Sequence, residues 1–71
     1  MNVEIYGRTI CPNCLKAKKL LDALEIPYTY INMEEDEGAY NKAISLGAKE
    51  VPLIFVEGKW VGGLKELQDY F

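Results

Sequence analysis

The chain has 71 residues, 49% of them apolar, which is enough for one small core, so one domain is expected over residues 1–71. A net charge of −3 argues against nucleic acid as the main partner, because phosphate binding needs clustered positive charge. Two cysteines and no histidine fall short of the several disulfides that reinforce a small secreted core.

The start, Met1–Tyr6, enters a strand pattern with no basic n-region before it, so no secretory leader is expected. Val3 and Ile5 mark a strand over Asn2–Tyr6, and Gly7–Ile10 reads as a loop. From Pro12 to Leu24 the period is helical, with Cys14, Ala17, Leu21 and Leu24 forming one buried stripe. Pro12 suits a first helical turn, where its missing N–H is not needed, and Pro27 lies beyond the helix end. Tyr28–Asn32 is a second strand. A strand, a helix and a strand in this span predict a βαβ unit with parallel strands and a right-handed crossover.

Glu35–Leu46 reads as a second helix with Ala39, Ala43, Ile44 and Leu46 as its apolar positions. Its acidic start complements the helix dipole, and Gly47 follows as a C-terminal cap. Leu53–Val56 is a third strand. A tight turn at Glu57-Gly58 or Gly58-Lys59 returns the chain through Lys59–Val61. Gly62-Gly63 breaks that strand, and Leu64–Tyr70 forms a last helix through Leu64, Leu67 and Phe71. The fold class is therefore α/β, in the order β-α-β-α-β-β-α, a four-stranded mixed sheet with three helices. No apolar run approaches the roughly 20 residues of a membrane helix, so a soluble, cytoplasmic protein is expected.

The chemistry points to Cys11 and Cys14. A bridge between cysteines so close in sequence hardly constrains the unfolded chain, so the pair is a poor staple. Cys11 stands at a helix N-terminus, where unpaired N–H groups and the helix dipole stabilise a thiolate, and Arg8 lies just upstream. Cys14 follows one helical turn later, on the same face. This placement suits disulfide exchange: Cys11 attacks, and the more buried Cys14 resolves the mixed disulfide. Two cysteines without histidine cannot complete an ordinary structural zinc site in one chain. A zinc ion or iron–sulfur cluster shared by two chains is the alternative of another class, and an inert pair is the third reading. The charges of Lys16, Lys18 and Lys19, and the run Glu34–Glu37, read as solvated surface. Trp60 reads as packing, Tyr6 as core or as the rim of the site, and Met33 carries no assigned role.

Taken together, Tyr6-Gly7-Arg8-Thr9-Ile10-Cys11-Pro12-Asn13-Cys14, then Val51-Pro52, then Gly62-Gly63, then Leu67, resemble the glutaredoxin family of the thioredoxin-like superfamily, in its compact bacterial or phage form. The resemblance implies a thioredoxin-like fold and reduction of protein disulfides and glutathione mixed disulfides. Glutathione would be the electron donor, with no bound cofactor and no metal. It implies Cys11 as nucleophile and Cys14 as resolving thiol, with Pro12 and Asn13 between them at the substrate. Arg8 stands where the family often has a lysine near the thiolate and the glycine carboxylate of glutathione. Pro52 matches the cis-proline, which turns the Val51 backbone toward the cysteinyl group. Gly62 and Gly63 let the backbone approach the γ-glutamyl end, and Leu64 and Lys65 offer N–H groups there.

Some positions depart from the family pattern. Asn13 replaces a common tyrosine, Glu50 a threonine, and Lys65 an aspartate that holds the glutathione ammonium group. An alternative donor implied by the resemblance is thioredoxin reductase, with ribonucleotide reductase among the disulfide acceptors. A monomer is expected.

Overall fold

The computed structural model describes residues 2–71; Met1, the first residue of the expected domain, lies outside the described residues. Four strands, β1 (Val3–Gly7), β2 (Thr29–Asn32), β3 (Leu53–Val56) and β4 (Lys59–Gly62), alternate with three helices, α1 (Pro12–Ala23), α2 (Glu37–Ser45) and α3 (Leu64–Tyr70). The element order is the expected one. In space the strands run β2-β1-β3-β4. β1 and β2 are parallel, with Ile5 opposite Tyr30, as the βαβ reading requires. β3 is antiparallel to both β1 and β4, with Ile5 opposite Ile54 and Val56 opposite Lys59.

Strand alternation divides the core between the two faces of the sheet. Val3, Ile5, Ile54 and Val56 point to one face and pack against Ala17 and Leu21 of α1 and Leu67 of α3. Tyr6, Leu53 and Phe55 point to the other and pack against Ala39 and Ala43 of α2, with Met33. Every residue of β3 is buried, because helices cover it on both sides. The Tyr6 and Phe55 rings meet at 4.8 Å, which places Tyr6 in the core. Met33 joins the same cluster.

Several apolar positions of the helices fall outside this core. The α1 stripe stops at Leu21; Leu24 is the C-cap of α1 and is exposed. Its turn closes with Ile26 N–H donating to the Leu21 carbonyl at 2.9 Å, and Ile26 packs inward in its place. On α2 only Ala39 and Ala43 face the sheet, whereas Ile44 and Leu46 are exposed. Phe71 caps α3 and is likewise exposed, against the Tyr70 ring. Leu24, Leu46 and Phe71 are the C-caps of their helices, and only Ile44 lies within one.

Two boundaries have clear causes. Asp36 caps α2 by accepting the Ala39 N–H at 3.0 Å, so the helix begins after it and not at Glu35. In the β3–β4 hairpin, Glu57 and Gly58 both have positive φ, 53° and 80°, which selects Glu57-Gly58 as the turn pair. No helix among the described residues is long and apolar enough to cross a membrane.

Candidate active site

Cys11 is the N-cap of α1, with extended backbone (φ −152°, ψ 100°), and Pro12 opens the helix. Its sulfur accepts the Cys14 N–H at 3.1 Å. A free helix-start donor is thus already aimed at Cys11 Sγ, as a thiolate there needs. Cys11 and Cys14 are joined in a disulfide, with Cα atoms 5.1 Å apart. Cys14 is 1% exposed and Cys11 is partly exposed, so an incoming molecule meets Cys11 first.

The loop before Cys11 is tied down by the end of β2. Met33 N–H donates to the Gly7 carbonyl at 2.8 Å, continuing the strand pairing past Asn32. Tyr30 Oη donates to the Arg8 carbonyl at 2.6 Å. Asn32 Nδ2 donates to Thr9 Oγ1 at 2.8 Å, and Thr9 N–H donates to Glu34 Oε1 at 2.7 Å. The two hydrogen bonds from Thr9, backbone first, and the nearby charge of Arg8 hold the Glu34 carboxyl below its usual range. Burial raises the Tyr30 phenol above its ordinary value, and Lys18 Nζ lies 3.7 Å over the Tyr30 ring. Glu34 and Asp36 are therefore structural members of a run that reads as plain surface. Gly7 belongs to β1 and not to the loop, and its missing side chain leaves room for the Cys14 sulfur.

The Val51-Pro52 bond is cis. Pro52 is buried, Val51 is partly exposed, and the Pro52 carbonyl lies against Gly63. Two grooves flank this loop, and Asn13, between the two cysteines, lines both. One, of 630 Å³, gathers Asn13, Val51, Pro52, Gly62, Gly63, Leu64 and Lys65. The other, of 1140 Å³, is lined by Arg8, Asn13 and Val51 together with residues of α2. Arg8 thus stands on the opposite side of the loop from the glycine pair. Pro12 lines neither groove and is exposed at the start of α1.

Two further residues belong to the smaller groove. Trp60 lines it and is 41% exposed, so it is not the packing residue that its strand position suggests. Glu66 folds back across Gly62 and accepts the Gly63 N–H at 2.7 Å. The spacing of Glu66, three residues after the helix start at Gly63, is the signal that identifies it.

Comparison with known proteins places this arrangement. Residues 3–61 match the Glutaredoxin family model. Glutaredoxin 1 of Rickettsia conorii is 40% identical over 72 residues, covering 94% of this chain and 69% of that protein. The chain spans between 29% and 69% of the length of the curated relatives it resembles. The crystal structure of a buckwheat glutaredoxin–glutathione complex superposes with a TM-score of 0.82 at 25% identity, over 94% of this chain and 64% of that one. NrdH-redoxin from Escherichia coli, a glutaredoxin-like protein, superposes with a TM-score of 0.87 over 100% of this chain and 96% of its own, and at 18% identity it shares the fold. With its cysteine pair at the start of α1, a cis-proline loop beside it and the thioredoxin-like sheet beneath, the chain belongs to the glutaredoxin family.

Proposed function

We propose that the chain is a thiol–disulfide oxidoreductase that reduces protein disulfides and glutathione mixed disulfides through Cys11 and Cys14. The observation that carries this is the asymmetry of the pair: Cys11 Sγ faces a helix-start N–H at 3.1 Å, while Cys14 is buried behind it. In the reduced protein the Cys11 thiolate attacks one sulfur of the substrate disulfide. A Cys11–substrate bond forms, and the other substrate sulfur leaves as a thiolate and takes up a proton. Cys14 loses its proton and attacks Cys11 Sγ, the substrate's second sulfur leaves, and the Cys11–Cys14 bridge closes. Two electrons pass from protein to substrate, and two molecules of glutathione restore the dithiol by the reverse exchange.

In this reading residues 1–71 act as one domain, as a monomer in a reducing cytoplasm. Arg8 offers its charge to the thiolate and to a glutathione carboxylate. Val51, presented by the cis-Pro52 loop, offers its backbone to the bound cysteinyl group, with Pro12 and Asn13 alongside. Gly62, Gly63, Leu64 and Lys65 face the γ-glutamyl end. The test is turnover of a small glutathione mixed disulfide with glutathione, glutathione reductase and NADPH. Turnover that vanishes in Cys11→Ser supports the reading, and turnover that survives that substitution sinks it.

Glu66 favours a second reading in which the same dithiol is recharged by thioredoxin reductase. Its carboxylate holds the Gly63 N–H and lies across Gly62, where the γ-glutamyl end would sit. Lys65, in place of an acidic residue, repels the ammonium group of that end. Weak turnover with glutathione and rapid turnover with thioredoxin reductase would select this donor, with a dithiol-dependent enzyme such as ribonucleotide reductase as acceptor.

A further inference from the structure

The larger groove extends from Arg8, Asn13 and Val51, the end that glutathione would use, across the face of α2. Its floor is apolar, formed by Met33, Ala43 and Leu53. Tyr40 and Ile44, one helical turn apart on α2, stand over it with 52% and 57% of their surfaces exposed. Four carboxylates line it, Glu34, Glu35, Glu37 and Glu50, against two cations, Arg8 and Lys49. Glu34 is engaged chiefly by the Thr9 hydrogen bonds, with the charge of Arg8 adding to them, so it is the carboxylate of the four least available to a ligand. Lys42, the one cation of α2, is folded over the Phe55 ring at 4.5 Å and does not line the groove. The groove is thus apolar at its base and negative around its rim, and Asn13 joins it to the cysteine pair.

We propose that this groove docks the chain segment beside the target disulfide of a protein substrate, and that the segment is basic and apolar. It deepens the reading of Cys11 and Cys14 as the exchange pair by naming the substrate class. An apolar side chain of the segment enters between Tyr40 and Ile44, and Lys or Arg residues on either side meet Glu35, Glu37 and Glu50. Burial of the apolar side chain supplies affinity, while the rim charges supply selection against acidic segments and speed encounter.

The test is a titration of isotope-labelled protein, followed by amide resonances, with short synthetic peptides carrying Ser in place of Cys. One peptide is rich in Lys and Leu, the other in Glu and Leu. The basic peptide should shift the amides of residues 37–44 and 49–51, and the acidic one should not. Added salt should weaken the effect. Glu35→Lys with Glu50→Lys should lower the affinity for the basic peptide about tenfold, which is some 1.4 kcal/mol. Tyr40→Ser should weaken binding without reversing the charge preference. Equal response to both peptides, no shifts, or shifts confined to residues 60–66 would overturn the docking proposal. Reduction of hydroxyethyl disulfide by the dithiol protein is measured separately. Failure there counts against the exchange reading, whereas the titration alone decides the groove.

Discussion

Gly7 and Cys14 touch across the junction of β1 and α1: a Cβ placed on Gly7 would stand 2.7 Å from Cys14 Sγ. That is closer than real Cβ atoms approach, and the same Cβ would meet the Tyr30 hydroxyl. The strand end is therefore glycine so that the resolving sulfur can sit against the end of β1. Gly7→Ala should cost about 1–3 kcal/mol, the usual penalty for overpacking a filled site. Urea unfolding checks it, and an unchanged midpoint would show that the sulfur has room to yield.

Glu34 sets a pH dependence for the loop that carries Arg8 and Thr9. Its carboxyl is held below the ordinary value by the Thr9 hydrogen bonds and by Arg8. A depressed folded-state pKa means that the contribution is present above the unfolded value and is lost as pH falls through the folded one. The Thr9 amide resonance should therefore move with a midpoint below the normal carboxylate range. Glu34→Gln should abolish that movement; a midpoint at the ordinary value would contradict the assignment.

Most of the architecture can be read from spacing alone. The strand–helix alternation, the parallel first pair and the cysteine at a helix start all follow from local pattern and from Pro12. The cis geometry at Pro52 follows the family resemblance and is present. What spacing misses depends on contacts between distant segments. Glu34 and Tyr30 hold the active-site loop across 25 and 22 residues of sequence, so no local pattern marks them. Leu24 and Ile44 look like core residues because apolar spacing cannot show where a helix turns away from its sheet. Trp60 is exposed because β4 is an edge strand, which one-dimensional patterning cannot tell from a central one. Glu66 was legible, three residues beyond Gly63, yet its consequence for the groove appears only when its side chain lies over Gly62.

The two cysteines should fail differently. Cys11→Ser should lose all exchange, because Cys14 is buried and cannot reach a substrate. Cys14→Ser should keep activity on glutathione mixed disulfides, where glutathione itself resolves the intermediate, and lose reduction of protein disulfides. Assays of both substrates check this; the opposite pattern would exchange the two roles.

Glu66→Ala should raise the rate with glutathione by lowering KM, since it frees the Gly63 N–H and removes a carboxylate from the groove. An effect of a few-fold corresponds to about 1 kcal/mol, the net scale of one ordinary hydrogen bond. Steady-state kinetics with varied glutathione measure it. A KM that rises would mean that Glu66 stabilises the bound tripeptide.

The most direct measurement is alkylation of the reduced protein by iodoacetamide as a function of pH, with each cysteine located by mass spectrometry. The helix-start N–H groups predict that Cys11 reacts first, with its thiol titrating below the ordinary thiol value, while Cys14 stays protected. Reaction of Cys14 first, or of both at the ordinary thiol value of about 8.5, would contradict Cys11 as the activated nucleophile.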